Sequence, residues 1–128
     1  MIALVAVFTR GGATQYAADT PEGAVQRYTQ AVVDGDEAGA LTYVVPEVAR
    51  SCDRAGTGTD DYRVTLITTT ERDDTARVEV LVTTVTGSGA LGGSEYESEE
   101  EFRLVKAGDT WLVESAPWQF AVCYEMQK

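Results

Sequence analysis

Apolar positions along the chain change their period once. Between residues 20 and 35 they recur three and four apart: Ala24, Val25, Tyr28, Ala31 and Val32 form one stripe, and Gln26, Arg27, Gln30 and Asp34 fall largely on the other side. Thr20 is placed to cap this helix, and Pro21 suits its first position, where a missing N–H costs nothing. Glu22 complements the dipole, and Gly35 is a natural residue just past the end. Asp36 then caps a second, shorter helix, "EAGALTYVV", with Ala40, Leu41 and Val44 as its buried side. Pro46 ends that helix, because the residue before proline avoids helical geometry. It also opens a third, "PEVARSCD", whose inner face would hold Val48, Ala49 and Cys52. "RAGTGTDD" has no period and reads as a loop.

From Tyr62 the period falls to two. "DYRVTLITTTE" sets Tyr62, Val64 and Leu66 on one face and Arg63, Thr65 and Thr69 on the other. "RDDT" supplies a turn through Asp73 and Asp74. "ARVEVLVTTVT" follows, with Val78, Val80 and Val82 on one face and Arg77 and Glu79 opposite. "GSGALGG" is a hairpin connection, or a mobile lid over a pocket; lacking a Lys and a following helix, it is not a phosphate cradle. "EYESEEEFRLVK" is a third strand, "AGD" a tight turn, and "TWLVESAPWQFAVC" a fourth strand in which Pro117 demands a bulge, an edge or a break. Three helices followed by a four-stranded antiparallel meander predict an α+β fold, the helices packed on one face of a curved sheet. With 128 residues there is room for one core.

Charge narrows the partners. A formal net charge of −11 opposes binding to nucleic acid or to anionic lipid through a basic patch. It favours solubility and a basic partner. Eight Arg against two Lys, among much Ala, Val, Thr and Gly, is the composition of a high-G+C bacterial genome. Histidine is absent, which excludes Ser–His–Asp and Cys–His catalysis and imidazole zinc sites. No metal or other cofactor is expected. The pairs Asp60–Asp61 and Asp73–Asp74 lack the spaced oxygens of a calcium loop and read as turn or cap residues.

Residues 2–8, "IALVAVF", form an apolar run of seven that cannot span a bilayer, which needs roughly 20 residues. They read as the outer end of a membrane anchor, with residues 1–19 as anchor remnant and tether; an edge strand or a hydrophobic tail on the domain is the alternative. The domain proper is expected over 20–123, with 124–128 as a tail. Cys52 and Cys123 have no CxxC spacing; they are either a disulfide in an oxidising compartment or two buried thiols. The anchor reading favours the disulfide and the extracytoplasmic side of a bacterial membrane, where the membrane is met only through the anchor.

"PEGAVQRYTQAVVDGD" followed by two short helices and by long hairpins ending in "GDTWLVES" resembles the nuclear-transport-factor-two-like (cystatin-like) superfamily over residues 20–123. Small actinobacterial exported or membrane-anchored domains resemble it most. That superfamily of α+β cones includes ketosteroid isomerase, scytalone dehydratase and many non-enzymatic bacterial domains. The resemblance implies that Tyr28 plugs the concave side of the sheet and that the open end of the cone leaves a pocket.

Isomerase-type members need a carboxylate base in an apolar pocket and donors for an oxyanion. In the third strand Tyr96, Ser98, Glu100, Phe102 and Leu104 alternate with Glu95, Glu97, Glu99, Glu101 and Arg103. Glu100 is thus the candidate base, with Tyr28, Tyr43 or Tyr96 as donor. A mouth position, a partner in Arg77 or Arg63, or a bulge would each remove it from that role. The odd-position glutamates read as a solvated face that protects a sheet edge, or as a docking stripe for a basic partner. Trp111 and Val113 read as core; Tyr28, Trp118 and Phe120 are the candidate pocket or interface residues. The expected function is a non-catalytic, membrane-tethered extracytoplasmic domain that binds a protein partner or a small apolar ligand, with a homodimer through the sheet face as a further arrangement. The alternative is an isomerase- or dehydratase-like enzyme acting on a small apolar substrate in the cone.

Overall fold

The structure, a computed structural model, describes residues 16–55, 61–86 and 94–127. The apolar run 2–8, the connection "GSGALGG" and Asp60 lie outside the described residues. Three helices, α1 (Pro21–Val33), α2 (Glu37–Leu41) and α3 (Pro46–Arg50), precede four strands, β1 (Asp61–Arg72), β2 (Thr75–Thr86), β3 (Ser94–Ala107) and β4 (Thr110–Ser115). The strands form one antiparallel sheet in the order β1-β2-β3-β4, as the meander predicts. The helices pack on one face of it, so the α+β architecture is the expected one.

The start and stop of α1 are made by the residues the sequence assigns to them. Thr20 Oγ1 accepts from the Gly23 amide at 3.0 Å, and Pro21 occupies the first turn. At the other end Gly35 has φ +76°, a left-handed geometry that other residues adopt at a cost. Its amide donates to Val32 (3.1 Å) and the Asp36 amide to Ala31 (2.9 Å), which satisfies two orphan carbonyls in a Schellman motif. Asp36 then caps α2 through its side chain, accepting from the Gly39 amide at 3.0 Å.

Three differences from the sequence reading have clear causes. First, α2 stops at Leu41 rather than running on to Val45. Val44 and Val45 are β-branched and lead into Pro46, so they favour extended backbone. They take it along β4: the Val113 amide donates to Tyr43 O (2.7 Å) and the Val45 amide to Val113 O (3.1 Å). Second, a bulge at Ile67 in β1 shifts the alternation by one. Thr69 therefore shares the inner face with its partner Val78 instead of lying with Arg63 and Thr65, while Ile67 is exposed. Third, β4 ends at Ser115. Pro117 cannot donate to a ladder, and the chain turns inward as a 3-10 turn, Trp118–Phe120.

The core sits between α1 and the inner face of the sheet. Val25 and Tyr28 meet Val64, Val78, Val80, Val82, Phe102, Leu104 and Val113, all at most 1% exposed. Four elements share a chain of rings: Tyr28 meets Phe102 edge-on (6.3 Å, 77°), Phe102 lies 6.2 Å from Phe120, and Phe120 lies 5.3 Å from Tyr62. Each such pair is worth about 0.5–1.5 kcal/mol beyond its buried area.

Residues flanking the expected domain join it. Gln26, assigned by its period to the outer side of α1, is buried because its Oε1 accepts from the Tyr16 amide at 2.8 Å. Arg27 Nη1 donates to Tyr16 O at 2.9 Å. Residues 16–19 thus fold back on α1, so closely that a Cβ on Gly23 would fall 1.8 Å from Ala17 O. At the far end Tyr124–Met126, counted as tail from the sequence, forms a 3-10 turn with Met126 fully buried.

Cys52 and Cys123 form a disulfide between the end of α3 and the C-terminal segment. Backbone pairing surrounds it: the Ala55 amide donates to Val122 O (3.0 Å) and the Tyr124 amide to Asp53 O (2.9 Å). The bond closes a loop with a sequence separation of 71, for which chain entropy gives roughly 4 kcal/mol of stabilisation. Cys52→Ala/Cys123→Ala is therefore expected to lower the unfolding free energy by about 2–5 kcal/mol, read from urea unfolding beside oxidised wild type. A double variant as stable as wild type would contradict this.

Candidate functional site

The inner face of the sheet is apolar at one end and polar at the other. Along β3 the even positions run Tyr96, Ser98, Glu100, Phe102, Leu104, and no register shift against β2 interrupts them. Glu100 therefore shares the inner face with Phe102, opposite Val80. Its carboxylate accepts from Ser98 Oγ at 2.8 Å and from Gln119 Nε2 at 3.3 Å, so its partners are neutral donors and neither Arg63 nor Arg77. Arg77 and Arg103 instead converge on Glu101, at 3.4 and 2.8 Å.

The candidate donors are dispersed. Tyr28 is completely buried, and its hydroxyl donates to Phe120 O while accepting from the Val122 amide at 3.4 Å. Met126 Sδ lies 3.6 Å from the same oxygen. Burial raises the phenol far above its ordinary value, against a smaller lowering by the Val122 N–H. Tyr43 is half-buried where its carbonyl meets β4, and Tyr96 is 51% exposed. Of the pocket or interface candidates, Tyr28 and Phe120 come together in the core, whereas Trp118 is 54% exposed. Among the described residues no three carboxylates or thiols converge as a metal site would require.

A groove of about 620 Å³ lies where β4 stops. Glu79, Glu99, Glu101 and Arg103 line it from the outer face, Glu100 from the inner face, and Ser115 and Pro117 from the departing chain. It therefore wraps the edge of β3. That edge is open because β4 pairs with β3 only from Arg103 to Ala107. Among the described residues nothing pairs with Glu97 to Glu101 on that side. The Lys106 amide points to the β2 side, where it donates to Asp74 O at 2.8 Å. Main-chain groups alternate sides along an antiparallel strand, so Glu97, Glu99 and Glu101 direct theirs at the open edge. Two features here escape a sequence reading. The open edge depends on where β4 leaves the sheet; Pro117 is its only trace in the sequence. Gln119, 2% exposed and with no partner for its Oε1 among the described residues, carries no signal at all.

Residues 15–126 match the family described as lipoprotein LpqB, N-terminal domain. Among solved structures, a SEC-C motif containing protein from Rhodopseudomonas palustris superposes with a TM-score of 0.60 over 80% of each chain, at 18% identity, a likeness of fold. No curated protein sequence matches the chain.

Tyr28→Phe would leave Phe120 O buried without its donor, at an expected cost of about 1–3 kcal/mol in urea unfolding. The wild-type phenol has a raised folded value, so its contribution is whole below the unfolded value of 10.0 and declines as pH rises through the folded one. Unfolding free energy should therefore fall above pH 10.0, less steeply in Tyr28→Phe, with one phenolate absorbance step delayed to unfolding. Identical alkaline profiles for the two proteins would contradict this.

Proposed function

Because the chain belongs to the LpqB lipoprotein N-terminal domain family, we propose that it is a non-catalytic, extracytoplasmic protein-interaction domain of a membrane-tethered lipoprotein. The family and the Cys52–Cys123 disulfide mark an exported protein of the bacterial cell envelope. Helices packed on one face of a four-stranded antiparallel sheet, with Tyr28 buried between them, support the reading of the domain as a nuclear-transport-factor-two-like cone plugged by Tyr28. No helix among the described residues is long and apolar enough to cross a membrane.

The observation that carries the reading is the engagement of Tyr28. Its hydroxyl joins α1 to the C-terminal segment, and Phe120 is fully buried against Phe102 and Tyr62 on the inner face of the sheet. A proton-transfer site needs a phenol or other donor free beside the base in a water-excluded cavity. Here Glu100 lines an open groove among Glu79, Glu99 and Glu101. An open groove rich in carboxylates, with Trp118 exposed one residue after its Pro117, supports the reading of a module that meets another macromolecule.

Photo-crosslinking in the native envelope tests this. A photoreactive residue placed singly at Trp118, Tyr124, Tyr96 or Ile67, all exposed, is expected to give a discrete adduct with an envelope protein from at least one position. The same positions in cytoplasm-retained protein should give none. Absence of any adduct from all four in the membrane-tethered protein would contradict the reading.

A further inference from the structure

We propose that the open edge of β3 at Glu97–Glu101 takes an extended, basic segment of the partner protein as an added strand. This rests on the reading of the chain as an interaction domain and names the chemistry of its partner.

Two independent features of the edge agree. The first is the backbone. Glu97, Glu99 and Glu101 direct their N–H and C=O groups at a side where, among the described residues, no strand lies. Unpaired edges of this kind are templates for strand addition, in which main-chain hydrogen bonds supply affinity and alternate side chains supply selectivity. The ladder is already in register: β3 pairs with β2 without interruption, and β4 occupies the same edge from Arg103 onward. An incoming segment would therefore continue the place that β4 leaves at Ser115, inside the groove.

The second is charge. On the outer face Glu101 is held by Arg77 and Arg103, whereas Glu97 and Glu99 form no ion pair among the described residues. A strand seated here with Lys or Arg at alternate positions would set them beside Glu97 and Glu99, as favourable cross-strand pairs. Its intervening residues would face Glu100 and Pro117. There the buried Gln119 carboxamide is directed at Glu100, with an Oε1 that has no donor among the described residues. A second copy of this chain fits poorly, because it would set glutamate against glutamate on a chain of net charge −11.

The test uses a nine-residue peptide with Lys at alternate positions and Val or Thr between them. It is added to the isotope-labelled chain at low salt and followed by amide chemical shifts. The largest shifts are expected at Glu97, Glu99 and Glu101. Affinity should fall at least about tenfold for the same peptide with N-methylated edge-facing amides, and likewise for the double variant Glu97→Lys/Glu99→Lys. Both positions are solvent-exposed, so the variant should retain the wild-type spectrum elsewhere. Equal binding of the methylated peptide would show attraction by charge alone and overturn the proposal. So would shifts centred on another surface, or concentration-dependent shifts at the edge without peptide, which would mean that a second copy covers it. Peptide failure alongside an envelope adduct elsewhere on the domain removes the edge inference alone; failure of every adduct removes the reading beneath it.

Discussion

The phenol of Tyr28 governs the path of the chain on both sides of it. It sits mid-way along α1, fully buried, and it binds the main chain at Phe120 and Val122. To bring those atoms there, the chain must leave the plane of the sheet after Ser115 and cross its inner face. Pro117 makes that departure cheap, since it has no ladder hydrogen bond to lose. Cys123 then meets Cys52, and the Ala116 amide meets Met126 O at 3.0 Å, which closes the C-terminal segment over the core. The open edge of β3 is the other consequence. A β4 that continued straight would cover Glu97 to Glu101; a chain recruited to Tyr28 cannot.

This coupling accounts for what could and could not be read from the sequence. The caps of α1, the apolar stripe through Tyr28 and the inward set Val78, Val80 and Val82 were legible because each is a local rule applied to adjacent residues. The ends of α2 and β4 were less so. In each case a tertiary partner outweighed the local pattern: β4 drew Val44 and Val45 out of the helix, and Tyr28 drew Phe120 out of the strand. The bulge at Ile67 was invisible because "TLITTT" satisfies either phase of a two-residue period. Gln26 on α1 resembles any solvated helix residue until the fold-back of Tyr16 is known.

At the candidate site the residue types were legible and the arrangement was not. The alternation of β3 placed Glu100 inward, and it lies there. Its hydrogen bond from Gln119 comes from the segment that Pro117 releases, which no pattern in β3 foretells. Likewise the glutamates of the outer face were legible as a charged stripe, but their meaning depends on the backbone beneath them. Over Arg103 that backbone is paired and the charges neutralise one another; over Glu97 and Glu99 it is open and they do not.

Amide hydrogen exchange along β3 measures this arrangement most directly. With the C-terminal segment drawn to Tyr28, the Ser98, Glu100 and Phe102 amides are held by β2 and should exchange slowly. Glu97, Glu99 and Glu101 should exchange fast, and protection at odd positions should return at Val105, where β4 pairs. Uniform slow exchange from Glu97 to Val105 would mean that the edge is covered, and would contradict the account.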